Sequence, residues 1–147
     1  GGERPLKSPR PAVLVLLLVI LAAALSIFLR YHTLFFYSSN FHAPEPLMNP
    51  ASAVFLSLMF IAALLCDVIA YAARFIVNSA WVVLARNTVV LLILWAVWNS
   101  PIAPQFRSVP GVDLGFIGGL LVLFLIVATA VELLKSLVLV VREMSLP

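Results

Sequence analysis

The chain has 147 residues, of which 64% are hydrophobic and only 10% are charged. Soluble domains carry about 25% charged residues, so this composition excludes an ordinary water-soluble domain. Nine basic residues against six acidic ones give a formal net charge of +3. Because the basic residues are scattered or terminal, nucleic acid is not an expected partner. The composition predicts an all-α integral membrane protein, with residues 1–147 forming a single transmembrane domain in contact with membrane lipids.

The first predicted helix covers residues 11–37. Three basic residues precede the apolar run 12–29, which is the charge order of a signal peptide. That run is longer than the apolar core of a cleavable signal, which has about 7–15 residues. We therefore expect a retained signal anchor, continued to the membrane interface by the aromatic residues that follow, up to Tyr37.

The second and third predicted helices, residues 50–75 and 80–98, form a hairpin. The dipeptide Asn49-Pro50 favours a helix start, because asparagine can cap a helix and proline is tolerated in its first turn. A tight turn at Asn78-Ser79 separates the two helices, since one unbroken helix would be too long for a single span of about 20 residues. A proline-rich loop then leads to the fourth predicted helix, residues 112–142, which is long enough to tilt or to project beyond the bilayer.

The basic residues are distributed unevenly between the two ends of the predicted bundle. The end that holds both termini carries Arg4, Lys7, Arg10, Arg74, Lys135 and Arg142, whereas the other end carries Arg30 and Arg107. The positive-inside rule then places the N- and C-termini in the cytoplasm, or in the matrix if the membrane is mitochondrial. The tryptophans fit two aromatic belts, with Trp81 at one end of the third helix and Trp95 and Trp98 at the other. The sequence fits a bacterial inner membrane as well as a eukaryotic organelle or plasma membrane.

Two ionisable residues within predicted spans form the main candidate site, because charges inside a membrane are costly and are usually paired or functional. At 1.5 Å per residue, Asp67 lies about 7 Å and Arg86 roughly 5 Å from the midplane on the same side. We therefore expect an ion pair between the second and third helices. It has two interpretations, a structural contact that fixes helix register or a polar site for a proton, an ion or an anionic headgroup.

Two further sets of residues are predicted to lie on helix faces. Arg74, Glu132 and Lys135 form a candidate charge cluster near the cytoplasmic side. Small residues that allow close helix approach form a candidate packing face, contributed by the fourth and second helices: Gly111, Gly115, Gly119, Ala62, Cys66 and Ala70. That face can serve contacts within the chain or contacts with another subunit.

Nothing in the sequence favours catalysis, a metal or another cofactor. His32, His42 and Glu45 are the nearest approach to a metal cluster, but their spacing matches no zinc motif, and neither histidine lies in a predicted mid-membrane position for haem. No nucleophile elbow, Walker loop or dinucleotide fingerprint occurs. We expect a noncatalytic small subunit of a larger membrane protein complex, with other membrane subunits as partners. The alternative is a homo-oligomeric channel or transporter component that uses Asp67 and Arg86.

Overall fold

The computed structural model describes residues 6–38, 43–100 and 114–145. These ranges are mostly helical and contain four helices that are each long and apolar enough to cross a membrane. They are α1 (Pro11–Tyr31), α2 (Pro50–Ala73), α3 (Ala80–Trp98) and α4 (Leu114–Met144). The order and approximate extents agree with the hydropathy of the sequence, although α2 ends before Phe75 and α4 continues past Arg142.

The starts of α1, α2 and α3 have local causes in the sequence. Proline occupies the first turn of α1 and α2, where its missing N–H would have no helical partner. The Asn49 side chain accepts a hydrogen bond from the Ala51 N–H at 3.0 Å, and Ser79 Oγ accepts one from the Trp81 N–H at 3.2 Å. Both residues are therefore N-caps of the expected type.

The predicted extension of the first helix to Tyr37 is wrong, because α1 ends at Tyr31. His32 adopts a left-handed conformation with φ of 59°, and its N–H bonds to the Phe28 carbonyl at 2.7 Å. Such a residue stops a helix and satisfies one of its last carbonyls. The chain then forms β1 (Phe36–Tyr37), which pairs antiparallel with β2 (Glu45–Pro46).

Successive helices make the main packing contacts, and α3 and α4 share the largest one. Hydrogen bonds join the start of α1 to the end of α2, from Arg74 to the Lys7 carbonyl and from the Arg10 N–H to the Tyr71 hydroxyl at 2.8 Å. The end of α4 meets the start of α3 through Glu143. The N-terminal end of α1 and the C-terminal end of α4 therefore lie at the same end of the bundle, which we call the basic end.

The side chains are arranged in the opposite way to those of a soluble protein. The buried apolar residues of the described chain are mainly small, namely Ala24, Met48, Ala53, Val68, Ala80, Val90, Val97 and Val140. Large apolar side chains point outward, for example Leu29 and Phe124, which are 74% and 68% exposed. Between positions 116 and 135 of α4, Thr129 is the only residue buried within the chain. Exposed apolar surface on this scale marks a membrane or protein contact.

Candidate functional site

The candidate site is centred on Asp67 and Arg86, which lie on the facing sides of α2 and α3. Arg86 Nε is 2.5 Å from Asp67 Oδ1, so the two residues that the depth arithmetic places at similar height form a direct ion pair. The Arg86 and Asp67 side chains are 31% and 26% exposed. A charge-assisted hydrogen bond of this kind is about twice as strong as a neutral one and joins the two helices of the hairpin.

Asn87 extends this contact to the fourth helix. Its side-chain oxygen accepts a hydrogen bond from Arg86 Nη1 at 2.8 Å. Its Nδ2 donates to the Glu132 carbonyl at 3.1 Å and reaches Ser136 Oγ at 3.4 Å. Asn87 is only 2% exposed and Ser136 only 1%. A continuous polar network therefore runs from α2 through α3 to α4, and we call it the Asp67–Ser136 network.

No buried side-chain nitrogen or oxygen in the described part of the chain lacks a hydrogen-bond partner. The Ser136 hydroxyl, for example, donates to the Leu133 carbonyl at 2.7 Å. Sequence reasoning singled out neither Asn87 nor Ser136, because hydropathy does not show which face of α4 is turned toward α3. A small polar residue on each of two adjacent predicted helices is the signal that could have suggested this contact.

A cleft of about 260 Å³ lies beside the network. Residues of all four helices line it, including Leu17 of α1 and Glu132 of α4. Its apolar wall is formed by Leu17, Ala70, Val82 and Val83, and its polar wall by Asp67, Tyr71, Arg74, Arg86, Asn87 and Glu132. We call this cavity the four-helix cleft.

The predicted charge cluster of Arg74, Glu132 and Lys135 forms only in part. Lys135 Nζ is 3.4 Å from Glu132 Oε1, one helical turn away on α4. Arg74 instead donates to Asn78 Oδ1 at 3.2 Å and to the Lys7 carbonyl. Its guanidinium also lies 5.4 Å from the Tyr71 ring centre. Arg74 and Glu132 both line the four-helix cleft. Arg74 is held at the end of α2 by its bonds to Asn78 and Lys7 and does not pair with Glu132.

Glu143 forms a second contact between α3 and α4 that sequence reasoning missed. Its two carboxylate oxygens accept hydrogen bonds from the Ser79 hydroxyl and the Ala80 N–H, both at 2.6 Å. A carboxylate at a helix start is favourable because the unpaired N–H groups carry partial positive charge. The contact depends on how far α4 projects, which composition alone does not determine.

At the opposite end of the bundle, Ser57 anchors the segment that follows α1. Its hydroxyl oxygen accepts from the Leu34 N–H at 2.7 Å, lies 3.2 Å from Thr33 Oγ1 and donates to the Ala53 carbonyl at 2.6 Å. Ser57 is fully buried and Thr33 is 3% exposed. The sequence gave no sign of this cluster, because serine and threonine are common in membrane helices for several reasons.

The metal candidates and the small-residue face are tested only in part. His42 lies outside the described residues, and within the described ranges no group of three His, Cys, Asp or Glu side chains could hold a metal ion. Gly111 also lies outside the described residues, whereas Gly115 and Gly119 are in α4. A Cβ added at Gly119 would meet nothing within 4 Å, so this glycine makes no close approach within the chain. On α2, Ala62, Cys66 and Ala70 are partly exposed.

Comparison with known proteins assigns no family. No protein-family model matches the chain, and no curated protein or solved structure is significantly similar to it. Functional conclusions therefore depend on the chemistry of the helices themselves.

Proposed function

We propose that this chain is a multi-pass integral membrane protein and a noncatalytic subunit of a larger membrane protein complex. The observation that carries the proposal is the exposure of its apolar helices, above all α4, where Thr129 is the only buried residue between positions 116 and 135. Phe116, Phe124 and Leu134 of α4 are each more than 60% exposed. In water this surface would aggregate, and in a membrane it is available to lipids and to other helices.

The proposed orientation has both termini in the cytoplasm or the matrix. Lys7, Arg10, Arg74 and Arg142 belong to helix ends that meet at the basic end of the bundle, and Arg30 belongs to the last turn of α1 at the opposite end. The positive-inside rule favours this placement.

Two features of α4 favour a protein neighbour over lipid alone. The side chains of Glu132 and Lys135 are 55% and 68% exposed, and charged groups exposed on a helix within a membrane are costly. Gly119 offers a flat surface that no helix of this chain covers, and glycine is common where two membrane helices approach closely. A helix from another subunit can satisfy both features.

The alternative is a homo-oligomeric channel or transporter component that uses Asp67 and Arg86. The four-helix cleft supports it, because both residues line an accessible cavity. Two observations disfavour a pathway within one chain. Asp67 and Arg86 neutralise each other, and the next buried polar cluster on α2, around Ser57, lies about 15 Å away along the helix at 1.5 Å per residue.

Native mass spectrometry after purification in a mild detergent tests the proposal. A chain with a C-terminal tag, expressed in its own cells at its natural level, is expected to copurify with unlike membrane proteins at a fixed stoichiometry. A homo-oligomer without other subunits would support the channel alternative. A stable monomer would contradict both. A Gly119→Leu variant is expected to lose the partners and to remain folded, and Leu121→Ala, on an exposed part of the same helix, serves as its control.

A further inference from the structure

The four-helix cleft combines polar and apolar walls at the basic end of the bundle. Tyr71 in the last turn of α2 and Arg74, which caps the end of that helix, lie at its rim, and Arg86 lies deeper, six residues into α3. Its volume of about 260 Å³ is just below the range of small-molecule pockets, which begins at about 300 Å³. A cavity of this size accommodates a small polar group rather than a large ligand.

The four charged residues that line the cleft, Asp67, Arg74, Arg86 and Glu132, sum to zero, but both carboxylates already have a basic partner. Asp67 is paired with Arg86, and Glu132 is paired with Lys135. In residues 6–38, 43–100 and 114–145, Arg74 has contacts only with neutral groups, which are an asparagine oxygen, a backbone carbonyl and an aromatic ring. Because Lys135 outside the cleft neutralises Glu132, the charge of Arg74 is left without an acidic partner at the rim, and the expected ligand is an anion.

The hydrogen-bond donors at the rim are preorganised. Arg74 is held through Nε and Nη2 by Asn78 and Lys7, which leaves Nη1 to donate to a ligand. The Tyr71 hydroxyl accepts the Arg10 N–H, so its own hydrogen is available for an acceptor oxygen. These backbone contacts also keep Lys7 and Arg10, two further basic residues, at the same rim.

We propose that the four-helix cleft binds the phosphate group of an anionic phospholipid, with Arg74 as its main ligand and Tyr71 as a second donor. Guanidinium groups match the geometry of phosphate oxygens. Basic pockets between membrane helices on the cytoplasmic or matrix side are placed to receive anionic headgroups. The apolar wall of Leu17, Val82 and Val83 suits the glycerol and the first acyl carbons, which a soluble phosphate lacks. This inference rests on the membrane insertion that is part of the proposed function.

Native mass spectrometry of the full chain in detergent, titrated with phosphatidylglycerol or phosphatidylcholine, tests the site. We expect saturable binding of one phosphatidylglycerol per chain and weaker binding of phosphatidylcholine. Because a direct hydrogen bond between charged groups contributes about tenfold or more in affinity, Arg74→Gln is expected to weaken phosphatidylglycerol binding by about tenfold. Arg74→Lys retains the charge but loses the guanidinium geometry, so its affinity is expected to lie between those of the parent chain and Arg74→Gln, and the test holds even if Arg74→Gln misfolds.

Two matched variants distinguish lipid binding at the four-helix cleft from nonspecific attraction of the lipid to basic residues on the surface. Arg142→Gln removes one charge at the same end of the bundle, and Arg30→Gln removes an arginine that also lies beside a tyrosine ring, at 5.6 Å, but at the opposite end. Both are expected to bind phosphatidylglycerol like the parent chain. An equal loss in Arg142→Gln, or absence of saturation, would overturn the proposal. Displacement of the lipid by millimolar inorganic phosphate would overturn the assignment of a lipid as the source of the phosphate.

Carbonate extraction of the membranes from which the chain is purified distinguishes a failure of the proposed membrane insertion from a failure of the proposed lipid site. If the chain is extracted by carbonate, membrane insertion itself fails. If the chain resists extraction and still does not bind phosphatidylglycerol, only the lipid site is wrong.

Discussion

The contact between α3 and α4 differs from the contact between α1 and α2 in where its polar groups lie. Asn87 links α3 to α4 well inside both helices, and Glu143 links them again at the basic end. In the described residues, the polar contacts between α1 and α2 lie only near their ends, around Ser57 and around Arg74. Between those ends, the single buried residue of α1 is Ala24. Apolar faces alone allow two helices to slide along each other, whereas an internal hydrogen bond fixes their register. The register of α1 against α2 is therefore less firmly fixed than that of α4 against α3.

The largest expected effect comes from removing one member of the ion pair that joins these two halves of the bundle. Asp67→Ala leaves Arg86 without its carboxylate, and because the pair is partly exposed we expect a loss of about 2–3 kcal/mol in unfolding free energy, below the usual range for a fully buried pair. Unfolding by SDS in mixed micelles, followed by circular dichroism, measures this loss.

The double variant Asp67→Asn with Arg86→Gln is the control, because it removes both charges and retains hydrogen-bonding groups. It is expected to recover part of the stability lost in Asp67→Ala. If neither variant changes stability or assembly, the pair has no role in this fold.

Asn87→Ala breaks the internal link between α3 and α4. The variant leaves Arg86 Nη1 without its acceptor and removes the bond to the Glu132 carbonyl, and we expect a loss of about 1–2 kcal/mol. Thr88→Ala is the matched control, since the Thr88 hydroxyl bonds only to the Leu84 carbonyl of its own helix. Equal losses in the two variants would show that the network does not hold α4 to α3.

Ser57→Ala weakens the contact between α2 and the segment that follows α1. The Leu34 N–H loses its acceptor, and the expected loss is about 1 kcal/mol. Proteolysis of the loop between β1 and β2 should accelerate, because this segment is then less firmly attached. Ser26→Ala, whose hydroxyl bonds to the Ala22 carbonyl one turn earlier in α1, should change neither stability nor proteolysis. An unchanged cleavage rate in Ser57→Ala would contradict the anchoring role.

Gly119→Ala is expected to have the smallest effect within the chain. Its Cβ meets open space, and alanine is favoured over glycine in a helix by up to about 1 kcal/mol, so the isolated chain should keep or slightly gain stability. A clear loss of stability in detergent would mean that another part of this chain covers the glycine.

The sequence predicts the parts of this structure that depend on hydropathy or on the free-energy cost of placing a charged side chain inside a membrane. Apolar runs give the four helices, and the short turn after α2 places Asp67 and Arg86 at similar heights. The sequence does not predict how the helices are rotated about their axes, so the bonds from Asn87 to Ser136 and from Glu143 to Ser79 were missed. The end of α1 at Tyr31 was also missed, because no glycine or asparagine marks a helix end there and His32 adopts the left-handed conformation instead.

The central claim is that the four helices cross a membrane with both ends of the chain on the same side, and cysteine labelling tests it most directly. Cys66 is the only cysteine, so a Cys66→Ala background allows single cysteines to be introduced one at a time. The positions at the basic end of the bundle are Ser8, Asn78 and Ser145, and those at the opposite end are Ser38 and Ser100. In intact cells, or in organelles freed of their outer membrane, a membrane-impermeant maleimide should label Ser38→Cys and Ser100→Cys, and should label the other three only after the membrane is opened. Labelling of Asn78→Cys from outside, or different sidedness of Ser8→Cys and Ser145→Cys, would contradict the account.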